Sequence, residues 1–210
     1  MSEELPIIYL ARHGETAWSL TGQHTGLTDL PLTERGERNA RQLGERLRGL
    51  TFVRVYTSPL QRAHRTCELA GFGAVAEVDR DLVEWDYGQY EGRRTAEIRA
   101  ERPDWELFRD GCPGGESPAQ AMARADRVVS RLRTAQGNVL LFSSGHFFQQ
   151  AISFQLLLFP VVWECISFLQ SIDKMSHVKF SITEMHRGRI PFPAASFGQG
   201  CAQPTLNIHT

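Results

Sequence analysis

Near its start the chain carries an apolar run, Ile7-Ile8-Tyr9-Leu10-Ala11, that stops abruptly at Arg12-His13-Gly14. A short run of this kind, rich in β-branched and aromatic residues, has the length of a buried strand. The design recurs twice. Phe52-Val53-Arg54-Val55-Tyr56 gives way to Thr57-Ser58-Pro59, and Asn138-Val139-Leu140-Leu141-Phe142 gives way to Ser143-Ser144-Gly145-His146. Apolar runs that alternate with helical patterns predict an α/β chain: a three-layer α/β/α sandwich around a mostly parallel central sheet. In such sheets ligands bind in the crevice outside the carboxyl ends of the strands. All three strand ends then meet on one edge, bringing Arg12, His13, Arg62 and His146 together.

The helices are marked by their starts. Thr33 is placed to cap a helix running to about Arg48, with Ala40, Leu43 and Leu47 on its apolar face. Ser58, Pro59 and Gln61 read as a capping box with Arg62 in the first turn, and Ser117, Pro118 and Gln120 repeat the pattern. The second of these opens a helix to about Arg133, with Met122, Ala125, Val129 and Leu132 sharing a face. Between them lie a polar loop over 14–31, a short strand over 74–78, and an acidic, aromatic segment over 79–92. A helical stretch over 95–109, interrupted by Pro103, reads as a cover. Residues 147–169 read as a buried helix that breaks near Pro160, and 177–185 as a late strand. A single domain over 1–187 with a weakly structured tail over 188–210 is expected.

Composition narrows the partners. The 210 residues are 41% hydrophobic and 22% charged with a formal net charge of −1, so nothing in the overall charge draws the chain to nucleic acid or an acidic membrane. Any anion site must be a local gathering of Arg and His. The longest unbroken apolar run in 147–169 is much shorter than the roughly 20 residues needed to cross a bilayer. Cys67, Cys112, Cys165 and Cys201 lie far apart without a C-x-x-C pair, which favours buried reduced thiols over disulfides or zinc. With an acidic N-terminus unlike a secretory leader, a cytoplasmic monomer or homodimer is expected.

Two imidazoles and two guanidiniums at one sheet edge suit a phosphoryl group. Arg forks pair with its oxygens, one neutral histidine attacks phosphorus, and the other stabilises the charge in transfer. The leaving oxygen then needs a proton, which a carboxylic acid flanked by apolar residues, as Glu84 is by Val83 and Trp85, is suited to supply. Taken singly, each residue has a plainer reading: Arg12-His13 as a surface pair at a strand end, Arg62 as a solvated side chain, the carboxylates as surface groups.

Taken together they match a family. Arg12-His13-Gly14-Glu15-Thr16, Thr25-Gly26-Leu27-Thr28-Asp29-Leu30-Pro31-Leu32-Thr33, Ser58-Pro59-Leu60-Gln61-Arg62-Ala63, Glu84-Trp85-Asp86-Tyr87-Gly88 and Gly145-His146 occur in the order and spacing of five motifs. The chain thereby resembles the Arg-His-Gly branch of the histidine phosphatase, or phosphoglycerate-mutase-like, superfamily. The resemblance implies His13 as the nucleophile that becomes phosphohistidine and Arg12, Arg62 and His146 as the phosphate pocket. It implies Glu84 as proton donor and then activator of water. Thr25 and Gly26 belong to the loop that lines the substrate side, with Ser19 standing where relatives carry an Asn. It also implies that no metal and no cofactor is needed, and that the partner is a small phosphorylated substrate.

The compact chain, and the segment Asp110-Gly111-Cys112-Pro113-Gly114-Gly115-Glu116-Ser117, look more like small-molecule phosphatases of the sugar-phosphate and acid phosphatase kind than like the mutases. A bisphosphoglycerate-dependent phosphoglycerate mutase is the alternative, and a phospho-ligand binding or regulatory protein a second one. Ser144 and Gln149 depart from the family's usual His and Arg near the last histidine. The family's late loop would fall around 174–176. An attacking neutral His13 with a protonated Glu84 predicts a bell-shaped rate profile with an acidic or near-neutral optimum.

Overall fold

The computed structural model describes residues 7–155, 162–166 and 178–180. Among these residues six strands form one sheet: β1 (Ile7–Arg12), β2 (Arg54–Thr57), β3 (Glu77–Val78), β4 (Val139–Ser143), β5 (Val162–Ile166) and β6 (Val178–Phe180). Their order is β3-β2-β4-β1-β5-β6, parallel throughout except for β6, which runs antiparallel to β5.

Alternation along the central strands assigns the two helical layers. Ile8 and Leu10 of β1, with Val139 and Leu141 of β4, pack against α6 (Pro118–Leu132) and α7 (Gly145–Gln155). The intervening Tyr9 and Ala11, with Leu140 and Phe142, face α2 (Glu34–Leu47) and α3 (Gln61–Leu69). Successive strand residues point to opposite faces, so a strand covered on both sides reads as continuously apolar, as these do. Ala40, Leu43 and Leu47 are buried on α2, which Thr33 caps through Gly36 N.

A third cluster sits off the sheet. Trp85, Tyr87, Tyr90, Ile98, Trp105, Leu107, Cys112 and Ala121 form a small aromatic core beneath α4 (Thr95–Glu101) and α5 (Leu107–Asp110). The stretch read as a mere cover thus builds a core of its own, its two short helices separated around Pro103. Cys67 and Cys112 are free and buried, each thiol pushed up to about 12 by burial.

Four other expectations change. The loop over 14–31 contains a short helix, α1 (Ala17–Thr21), because Thr16 and Ser19 form a capping box. Residues 162–166 form β5 rather than helix: a proline ends helices, and the β-branched and aromatic run after it pairs with the open edge of β1. Met122 is exposed, the inner face of α6 being Ala121, Arg124, Ala125, Val128, Val129 and Leu132. The strand expected over 74–78 shrinks to the two residues of β3. The late strand is seen only as β6; the rest of 177–185, the segment 174–176 and the tail over 188–210 lie outside the described residues. No described helix is long and apolar enough to cross a membrane.

Candidate active site

Register places the histidines. Arg12 pairs with Ser143 across β1 and β4, and His13 N donates to Ser143 O at 3.0 Å, so both strands terminate together. His13 follows β1 directly, and His146 opens α7 three residues beyond Ser143. Because β2 runs parallel on the other side of β4, Arg62 joins the same edge from the first turn of α3.

His13 is buried, and its Nδ1 lies 2.7 Å from Gly14 O. Only a protonated nitrogen makes that contact, since a carbonyl accepts. Burial, followed by the charges of Arg12 and Arg62, holds the imidazole well below its ordinary pKa. The ring is therefore neutral at physiological pH, with its hydrogen on Nδ1 and the lone pair of Nε2 available. Gly14 is in turn held by its N–H to Thr66 Oγ1 at 3.0 Å, and that hydroxyl donates to Arg62 O at 2.7 Å. The turn after β1 is thus stitched to α3.

The two arginines differ in kind. Arg12 is exposed, and among the described residues no hydrogen bond or ion pair engages its guanidinium. Its guanidinium lies alongside Gly145, where a side-chain carbon would sit 3.5 Å away, in ordinary contact. Arg62 is wholly buried and donates to Thr28 O, Thr25 O and Gly26 O at 3.0, 3.0 and 2.7 Å, leaving its Nε without a partner among the described residues. It braces the loop from the carbonyl side while Glu91 Oε1 accepts from Gly26 N and Thr28 N at 2.8 and 3.1 Å. Gly26 is required at this crossing, because a Cβ would collide with Trp85 O and the Glu91 carboxylate. Thr25 contributes its carbonyl to the brace, its hydroxyl bonding only Gln23 O at 3.3 Å.

Helix α3 starts two residues later than its sequence signal, with Leu60 at the N-cap. Ser58 Oγ accepts from Leu60 N instead, and the first helical amide, Gln61 N, is capped at 2.7 Å by Asp29 from the bracing loop. The expected Ser58 capping box is replaced by a long-range cap.

Glu84 is buried, and both its oxygens point at α7. Oε1 accepts from Trp85 N and Phe147 N at 2.9 and 2.8 Å, and Oε2 from His146 N at 3.1 Å. A carboxylate against a helix N-terminus answers both the unpaired amides and the helix dipole. The first amides of α7 are therefore taken by Glu84. From behind, Arg124 donates to Asp81 O and Val83 O and pairs with Glu116, fixing the backbone that carries Glu84.

His146 Nδ1 makes a short hydrogen bond with Tyr87 Oη and lies 3.9 Å from Glu84 Oε2. Burial lowers its pKa, the nearby Glu84 charge opposes this, and Arg12 adds to the lowering. His24, a residue that sequence reasoning passed over, packs its ring 4.7 Å from Tyr87 and 5.8 Å from His146, with Thr95 Oγ1 at 3.2 Å from its Nε2. Burial, with His146 adding to it and Glu84 opposing, pushes His24 down to about 4. Tyr87, Glu91 and Phe108, whose ring is 5.9 Å from His146, were also missed. Glu91 stood in the acidic, aromatic segment, Tyr87 inside the fourth motif with no role of its own, and Phe108 in the stretch read as a cover. Ser19 is otherwise engaged: its hydroxyl accepts from Thr16 N and donates to Thr16 O within the α1 cap. Among the described residues no three His, Cys, Asp or Glu side chains gather as a metal site.

The sequence model of the histidine phosphatase superfamily (branch 1) matches residues 8–170. The chain is 44% identical over 150 residues to an acid phosphatase of Mycobacterium tuberculosis (strain ATCC 25618 / H37Rv), covering 70% of this chain and 73% of that one. It is 36% identical over 174 residues to the sedoheptulose 1,7-bisphosphatase of Saccharomyces cerevisiae, covering 67% of this chain but only 64% of the yeast protein. The crystal structure of a phosphoglycerate mutase from Thermus thermophilus superposes with a TM-score of 0.56 at 32% identity, over 68% of this chain and 80% of that one. With its strand-end histidines in this geometry and phosphatases among its relatives, the chain belongs to branch 1 of the histidine phosphatase superfamily and is a phosphoric monoester hydrolase.

Proposed function

We propose that the protein hydrolyses phosphomonoesters of small metabolites, sugar phosphates or similar, through a phosphohistidine on His13. The observation that carries this reading is the state of His13: a neutral ring with Nδ1–H held by Gly14 O and Nε2 unencumbered, beside the unengaged guanidinium of Arg12. Nε2 attacks phosphorus in line with the ester oxygen. Arg12, the orphaned Nε of Arg62 and His146 offer donors to the phosphoryl oxygens, where charge builds in the transition state. The P–O bond breaks with its electron pair on the leaving oxygen, which takes a proton from Glu84. Water, deprotonated by the same carboxylate, then releases phosphate from His13 and restores the proton to Glu84.

The carboxyl has one place for that proton. A carboxylate offers about four lone-pair positions. Oε1 already accepts two amides and Oε2 one, which leaves the open position on Oε2.

His13→Ala is expected to reduce hydrolysis of p-nitrophenyl phosphate to background with the fold intact by circular dichroism. Phosphate trapped from labelled substrate is expected on the native chain, stable to alkali and absent from the variant. Native-like turnover by His13→Ala overturns the mechanism. Formation of 2-phosphoglycerate from 3-phosphoglycerate and a bisphosphoglycerate primer, without phosphate release, overturns the preference for hydrolysis over mutase action.

A further inference from the structure

His13 and His146 follow neighbouring paired strands, yet the chemistry asks opposite things of them. An attacking imidazole must present a bare nitrogen, and a stabilising one must present an N–H. A neutral imidazole carries one hydrogen, so each ring needs a device that decides which nitrogen holds it. At His13 the device is an acceptor, Gly14 O. At His146 the facing group is a phenol.

We propose that Tyr87 is a positioning residue that sets the tautomer of His146, its hydroxyl donating to Nδ1 so that the ring hydrogen stays on Nε2, towards the phosphoryl group. The inference rests on the phosphatase reading above for its purpose, and on hydrogen-bond accounting for its content. Tyr87 is fully buried, and among the described residues its hydroxyl has no other partner than His146 Nδ1. Buried hydroxyl hydrogens are almost always donated. If Nδ1 carried the hydrogen, the phenol would accept it and leave its own hydrogen with no acceptor. Placing the ring hydrogen on Nε2 satisfies both groups.

The charged and titratable neighbours of His146 are Glu84, Arg12, His24 and Tyr87. Among the described residues Glu84 is the one competitor for a hydrogen on Nδ1, but Oε2 stands 3.9 Å away and already accepts His146 N. Burial, opposed by the Glu84 charge and helped by Arg12, favours the neutral ring, and burial also holds the Tyr87 phenol far above its ordinary pKa, so it remains a donor. His24, 4.7 Å from the Tyr87 ring, packs against the phenol and limits its swing.

The test reads the ring directly. In ligand-free protein labelled with 15N-histidine, long-range proton–nitrogen correlations of His146, assigned against His146→Gln, are expected to show hydrogen on Nε2 and a bare Nδ1. Hydrogen on Nδ1 in the native protein overturns the proposal, whatever any variant does. In Tyr87→Phe, which keeps the ring, the Nδ1–H form is expected to appear, and the titration midpoint of His146 to rise because a hydrogen bond to its neutral form is gone. The kcat for p-nitrophenyl phosphate is expected to fall about tenfold with little change in KM, as for loss of other orienting partners. Labelled phosphate should still appear on His13 in this variant, which separates failure of the tautomer assignment from failure of the phosphohistidine mechanism. A Tyr87→Phe protein with unchanged tautomer and unchanged kcat overturns the inference.

Discussion

At the end of β1 the histidine ring is held by a carbonyl one residue away, whereas at the end of β4 the ring is held by Tyr87 and its amide by Glu84, 59 and 62 residues upstream. Both ends come from buried parallel strands in register, so topology alone accounts for their proximity. It does not account for their division of labour. At β1 the chain supplies its own acceptor, and the result is a ring with its hydrogen on Nδ1 and a bare Nε2. At β4 a segment outside the sheet supplies a phenol and a carboxylate, and the result is a ring hydrogen-bonded at Nδ1 and anchored on a helix N-terminus. A parallel sheet brings like residues together, and the long-range partners make them unlike.

The sharpest way to break this contrast is at Glu84, which serves both as anchor of α7 and as proposed acid. Glu84→Gln keeps one acceptor oxygen and sets an NH2 against an amide hydrogen, so it loses proton transfer and part of the anchor. The kcat for an alkyl phosphate is expected to drop about 10²–10⁴-fold. For p-nitrophenyl phosphate, whose leaving group needs little protonation, the drop should be much smaller when phosphorylation of His13 limits the rate. Equal losses on the two substrates would reduce Glu84 to an anchor and leave the β4 end without its chemical role.

What was legible in the sequence follows the same division. The β1 end and the meeting of Arg12, His13, Arg62 and His146 at one sheet edge could be read because their signals are local: an apolar run, a polar stop, a helix start. The same holds for Thr33, Ser117 and the apolar faces of α2 and, Met122 excepted, of α6. The α3 start misled because its cap comes from Asp29, 32 residues away, and not from Ser58. β5 misled because a short, mostly apolar run, broken only by Glu164, fits a strand or a buried helix equally until an open sheet edge is available. His24, Tyr87 and Glu91 went unread because each acts through a partner far along the chain, and no period in the sequence announces such contacts.

Acid sensitivity gives a second, smaller test. His13, His24 and His146 are all held below the ordinary histidine range, chiefly by burial. Between that range and the lowered folded values, the unfolded chain binds protons that the folded chain refuses. Stability is therefore full above about pH 6.5 and lost as the pH falls. For His24, at about 4 in the fold, the loss on reaching that pH is about 3 kcal/mol. Urea unfolding at pH 7 and pH 4.5 measures it. His24→Phe should flatten the difference while leaving the share due to the two strand-end histidines. An unchanged difference would mean that His24 is not the acid-labile contact at the β4 end.

The smallest effect is expected at Ser19, where family resemblance and structure point to different roles. By resemblance its position lies on the substrate side of the pocket; in the fold its hydroxyl closes the capping box of α1 with Thr16. Ser19→Ala removes the acceptor for Thr16 N and leaves Thr16 Oγ1 still capping Ser19 N. The expected cost is about 0.5–1 kcal/mol of stability, the range of a lost cap. KM for p-nitrophenyl phosphate and for sugar phosphates should stay within about twofold, because the hydroxyl is already satisfied on both its donor and acceptor sides. A severalfold rise in KM at unchanged stability would reverse this and assign Ser19 to the substrate. The β1 end would then owe its specificity, and not only its shape, to the turn that follows the strand.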